Sequence, residues 1–170
     1  MIYNTLNKTI FLRASTEQVW AYLTDPDKLG LWFHKPKAPL VQRETYAMFA
    51  TQSGDNLMWG YVTRAQPHDL LEYTFIITPM GDATSTVKWT LDAVAGDARL
   101  SLEHSGLPAS EDAFVLTLAL DRGWDDHFDP MRAACRQTPK NWRRRIAPCR
   151  NAPSTLPKRV AGFCASRRLG

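Results

Sequence analysis

The sequence predicts an α+β fold, an antiparallel sheet of consecutive strands crossed by one long helix. Three observations lead there. Residues 40–104 alternate apolar and polar side chains between the turn signals SGDN, QPHD, PMGD and AGD. Residues 111–135 carry an apolar stripe at helical spacing, and two short helical patterns separate an N-terminal strand from the meander. A long helix with one apolar side buries that side by lying across a sheet, which is how an α+β domain closes its core.

The first element is a strand, residues 2–13, with Ile2, Leu6, Ile10 and Leu12 on one parity. In the next stretch Ser15 or Thr16 is suited to cap a helix, Glu17 falls in its first turn, and Val19, Trp20 and Leu23 form its apolar side. Asp25-Pro26 stops this helix and opens another short one, with Leu29, Trp32 and Phe33 apolar. Strands follow near residues 46–51 and 57–64, where both the Leu57/Trp59/Tyr61 and the Met58/Val62 parity remain open. Later strands alternate cleanly: Leu71, Tyr73, Phe75 and Ile77; Val87, Trp89 and Leu91; Leu100, Leu102 and His104 share one expected face. Ser110 is placed to cap the last helix, whose stripe runs through Ala113, Leu116, Thr117, Leu120, Trp124, Phe128, Met131 and Cys135.

Of the 170 residues, 44% are apolar, enough for one domain with a real core. Charge is segregated: ten of the 21 Lys and Arg lie from Arg136 onward, where no Asp or Glu occurs. Residues 1–135 therefore form a mildly acidic body, and 136–170 a basic, proline-containing tail expected to be disordered. Trp142 among Lys140 and Arg143–Arg145 has the composition of a nucleic-acid arm, but the acidic body opposes it and nucleic acid is not an expected partner. Cys135, Cys149 and Cys164 have no C-x-x-C spacing, so neither a disulfide framework nor a zinc site is signalled. No apolar run is long enough to span a bilayer and no leader pattern opens the chain, so a cytoplasmic protein without membrane insertion is expected.

Residues 123–135, GWDDHFDPMRAAC, concentrate candidate chemistry. On a helix Asp121, Asp125 and Asp129 fall in one column facing water, and Trp124, Phe128 and Met131 in another. Gly123 suits a close approach of the helix backbone to the sheet, and His127 borders the apolar side. No second His or Cys stands four residues away, so no metal is expected. His104 points inward by parity, either to orient a ligand or as a core histidine bonded to backbone. Paired inward carboxylates, a G-x-S-x-G elbow and a phosphate-binding glycine loop are all missing, so neither a catalytic residue nor a cofactor is assigned.

Four stretches, IFLRASTEQVWAYLTDPDKLGLWF, GYVTRAQPHDLLEYTF, RLSLEHSGL and GWDDHF, resemble, in order, the branch of the SRPBCC (START and birch-pollen-allergen-like) superfamily named for the activator of heat-shock protein 90 ATPase. The resemblance implies a helix-grip fold over residues 1–135: a curved antiparallel sheet wrapped around the last helix, with a cavity that in many relatives receives an apolar ligand. Five of the six tryptophans lie in this body, and rigid rings lining a concave surface suit an apolar or aromatic guest. Tyr73, Phe75, Trp89, Trp124 and Phe128 are the cavity candidates, Trp32, Phe49 and Trp59 stand near its mouth, and His104 is the polar group. The resemblance also implies two other functions, a co-chaperone whose partner is heat-shock protein 90, and cyclase or hydrolase chemistry in the cavity. Pro130 departs from the family's smooth last helix and is expected to kink or end it.

Overall fold

A computed structural model describes residues 3–50, 52–81 and 83–137. Ile2, Thr51 and the basic segment from Thr138 onward, with Trp142, its neighbouring arginines, Cys149 and Cys164, lie outside the described residues.

Chain order is β1 (Tyr3–Leu12), α1 (Thr16–Thr24), α2 (Pro26–Leu29), β2 (Lys35–Pro36), β3 (Thr45–Phe49), β4 (Asn56–Gln66), β5 (Leu70–Phe75), β6 (Ser85–Val94), β7 (Asp97–Pro108) and α3 (Glu111–Gln137). A single 3-10 turn, Thr78–Met80, follows β5. The strands form one antiparallel sheet in the order β1-β7-β6-β5-β4-β3-β2. β1 and β2 occupy opposite edges, so α1 and α2 carry the chain from one edge to the other, while α3 returns against the sheet. This is the helix-grip arrangement. Among the described residues no helix is long and apolar enough to cross a membrane.

Local chemistry explains the breaks. Ser15 closes a capping box with Gln18, the two side chains and backbone N–H groups bonding reciprocally. Asp25 ends α1 and caps α2, accepting from the N–H groups of Asp27 and Lys28. Ser110 accepts from the Ala113 N–H at the start of α3.

The core is the inward parity of the central strands. Leu71 pairs with Trp89, Tyr73 with Val87, Trp89 with Leu102 and Leu91 with Leu100, all buried. α3 covers them with Trp124, Phe128, Met131 and Cys135. The open choice in β4 resolves to Met58 and Val62 inward, with Trp59 half-buried on the other parity. At Gly60 a Cβ would sit 2.0 Å from the Thr74 carbonyl oxygen, so the approach of β4 to β5 excludes any side chain there.

Three expectations are corrected. Ile77 does not continue its strand, because β5 ends at Phe75 and the chain turns into Thr78–Met80. Pro130 does not end the last helix, which runs on to Gln137. Proline deprives the Asp126 carbonyl of its helical donor, but both residues are exposed, so that carbonyl is not buried unsatisfied. Gly123 does not mark a close approach, since a Cβ there would meet nothing within 4 Å.

Candidate functional site

The open space beside Gly123 is a hollow of about 160 Å³. α3 builds one wall from Ala119, Leu120, Gly123, Trp124 and His127; Leu57, Met58, Phe75 and Ile77 build the other, and Phe33 and His34 close an end. Ala119, Gly123 and His127 recur every four residues, so they form the column next to the core column Leu120, Trp124 and Phe128. The aspartate column lies on the other side of the core column. There Lys8 of β1 pairs with Asp121 at 2.7 Å and Asp125 at 2.8 Å, and Asp129 pairs with Arg132. One helix thus presents an ion-paired column, a core column and a hollow column side by side.

Trp124 connects hollow and core. Its ring stacks on Phe33 at 5.3 Å and meets Trp89 edge-on at 5.4 Å. Its indole N–H donates to His104 Nδ1 at 3.1 Å. Because that nitrogen accepts, the neutral ring carries its proton on Nε2, which donates to Ser85 Oγ at 2.8 Å. Ser85 in turn donates to the Phe75 carbonyl at 3.1 Å. The chain of donors is complete and dry: His104 is 0% exposed and Ser85 1%. Burial holds the His104 pKa down, at about 4. His104 is a core histidine whose ring nitrogens are both taken, so it sets the pose of Trp124 and has no lone pair left for a ligand or a proton transfer.

The other sequence candidates divide by position. Phe75 and Trp124 line the hollow. Trp32, Trp89 and Phe128 are buried behind it; Trp32 donates to the Tyr22 carbonyl, and Phe128 meets Trp89 edge-on. Tyr73 is deeper, accepting from the Trp89 N–H at 3.0 Å, and burial raises its pKa. Phe49 lines a separate surface hollow by β2 and β3, where the Lys37 ammonium lies 4.5 Å from its ring centre. Trp59 is in neither lining.

Two histidines border the hollow: His127, which the sequence placed beside the apolar stripe, and His34, which it did not single out. His127 Nδ1 lies 3.0 Å from the Trp32 carbonyl, which can only accept, so Nδ1 carries the proton and Nε2 is bare. His34 lies 5.3 Å from His127, ring centre to ring centre, nearly perpendicular to it. Among the described residues, nothing hydrogen-bonds to His127 Nε2 or to either nitrogen of His34. Burial, followed by the charge of His127, holds the His34 pKa down at about 4. Burial also lowers that of His127, against the opposing pull of the Trp32 carbonyl and Asp126. Both rings are neutral near pH 7. Among the described residues no three His, Cys, Asp or Glu side chains gather where they could hold a metal ion.

Residues 13–136 match the family model described as Activator of Hsp90 ATPase homolog 1-like protein. The chain belongs to that family. It lies within the SRPBCC superfamily, and solved relatives share the fold. Protein MLL2253 from Mesorhizobium loti superposes with a TM-score of 0.71 at 21% identity, covering 80% of this chain and 99% of that one. The Aha1 dimer from Colwellia psychrerythraea gives 0.64 at 18%, covering 78% and 96%. CalU16 from Micromonospora echinospora gives 0.61 at 22%, covering 78% and 75%. No curated protein matches the chain significantly.

Proposed function

We propose that this domain binds a small hydrophobic or aromatic ligand in the hollow between α3 and the sheet. The observation that carries the reading is the pair Ala119 and Gly123: small residues stand where a helix against a sheet would ordinarily place large ones, and the space they leave is bordered by Phe33, Phe75, Trp124 and His127. A volume of about 160 Å³ suits one aromatic ring, since an apolar cavity of about 150 Å³ accepts benzene. Trp32, Trp89, His104 and Phe128 act behind it, fixing the rings that form the wall.

Native mass spectrometry of the full chain purified from its own host, with denaturing analysis of anything carried along, tests the reading. A reproducible small molecule, retained by the native chain and lost in Gly123→Leu, is the expected outcome. A bare chain that takes up nothing from a host metabolite extract sinks it.

A second reading, a co-chaperone role toward heat-shock protein 90, draws on the family match and on Phe114, Val115 and Leu118, large apolar side chains left exposed on α3. It requires that the purified chain stimulate that ATPase and that Val115→Glu/Leu118→Glu abolish the effect. No complex and no stimulation remove it.

A further inference from the structure

The polar border of the hollow is specific enough to name the ligand's chemistry. His127 presents a bare Nε2, because its Nδ1 proton is committed to the Trp32 carbonyl. His34 borders the same hollow with an uncommitted ring, so while neutral it holds one N–H and one lone pair. Neither Lys nor Arg lines the space, so a carboxylate entering it would lose its water and meet no cation. An unsubstituted hydrocarbon ring fills the volume but leaves the His127 lone pair covered and unpaired, which carries a desolvation cost. A hydroxyl answers both nitrogens, since its O–H donates to His127 Nε2 while its oxygen accepts from His34.

We infer that the hollow selects a single aromatic ring bearing a hydroxyl, a simple phenol, with His127 as the acceptor that reads the O–H. The inference rests on the ligand-binding reading above and adds a residue and a functional group to it. The phenol remains neutral and no bond is made or broken. Specificity comes from the fixed tautomer: the Trp32 carbonyl dictates which nitrogen is bare, just as a fixed neighbour sets the working nitrogen in other histidine sites.

Calorimetric titration of the full chain at pH 7 with p-cresol, p-xylene and p-toluate separates the possibilities. The ratio of p-cresol to p-xylene affinity is expected to fall about tenfold in His127→Phe, the scale of one buried hydrogen bond lost, and to recover in His127→Gln, whose amide oxygen can accept. p-Toluate is expected not to bind. A ratio unchanged in His127→Phe, or tight uptake of p-toluate, overturns the hydroxyl reading while leaving ring binding intact. Failure of both neutral rings to bind instead removes the hollow as a ligand site. A measurement on the unmutated chain guards against a variant that does not fold. Two-bond proton–nitrogen spectra of His127 should report a bare Nε2 whose resonance moves with p-cresol and not with p-xylene; a protonated Nε2, or equal movement with both, overturns the assignment.

Discussion

His104 and His127 stand on either side of Trp124, and they are built to opposite ends. His104 is sealed, with one nitrogen accepting from Trp124 and the other donating to Ser85, whose hydroxyl passes its own proton to the Phe75 carbonyl. His127 spends only one nitrogen, on the Trp32 carbonyl, and its ring borders the hollow that Gly123 also lines. The difference teaches how a small domain separates support from recognition. A buried polar group whose bonds are all internal stabilises a pose, whereas one with a bond left over is available to a ligand.

The strongest way to break the comparison is to remove each ring. His104→Leu strands the Trp124 N–H and takes the donor from Ser85, so a loss of about 3 kcal/mol in unfolding free energy is expected. His127→Leu, at a half-buried site, should cost about 1 kcal/mol or less. Urea denaturation of the two variants checks both values. Equal losses would mean that the two histidines are not the different objects described above.

Acid gives the same contrast without mutation. His104, held at about 4 in the folded chain, titrates near 6.5 when unfolded. The unfolded chain therefore binds more protons between those values, and the stability that the neutral ring contributes is complete above about pH 6.5 and lost as pH falls through about 4. The full shift corresponds to about 3 kcal/mol, in line with the substitution. His34 acts in the same direction over the same window. The fall in denaturation midpoint from pH 7 to pH 4 should thus be smaller in His104→Leu than in the native chain. An unchanged slope would show that His104 takes no part in setting the acid limit.

Gly123→Ala sharpens the comparison by separating stability from binding. Alanine is the better helix residue by about 0.8 kcal/mol, and its methyl enters space that meets nothing within 4 Å. The variant should unfold at slightly higher urea while losing several-fold affinity for any ring that fills the hollow. If it is less stable, the helix contacts the sheet there after all.

Much of this was legible in the sequence, and the boundary between what was and what was not is physical. Alternation wrote the inward faces of β5, β6 and β7 plainly, because a buried face repeats every second residue and is mostly apolar, with Ser85 and His104 as internally bonded exceptions. The core column of α3 was legible for the same reason at its own period. β4 was not, because both of its parities carry large apolar residues, and only the packing of the folded sheet decides between Met58 and Trp59. A cavity was expected through the family resemblance, and Phe75 and Trp124 of its lining were named, but the residues that open it on α3 were not, since an opening is made by absences. Gly123 signals a close approach as readily as an empty space, and the partner of His127 comes from the loop after α2, remote in sequence. A column of small residues flanking an apolar stripe was the available clue, one position from the stripe actually read.

The aspartate column supplies the smallest and cleanest contrast. Lys8 reaches from β1 to Asp121 and Asp125, bracing α3 on the side away from the hollow, and its side chain is only 16% exposed. The carboxylates remain well hydrated, so the pairing should contribute about 1 kcal/mol or less and weaken in salt. Lys8→Met keeps the aliphatic stem and removes the charge. It should lower the unfolding free energy by that small amount at low ionic strength, lose most of the difference by about 1 M salt, and leave ring affinity unchanged. Were ligand affinity to fall with it, the columns of α3 would be coupled, and the division of the helix into a braced side, a core and a receptive side would have to be abandoned.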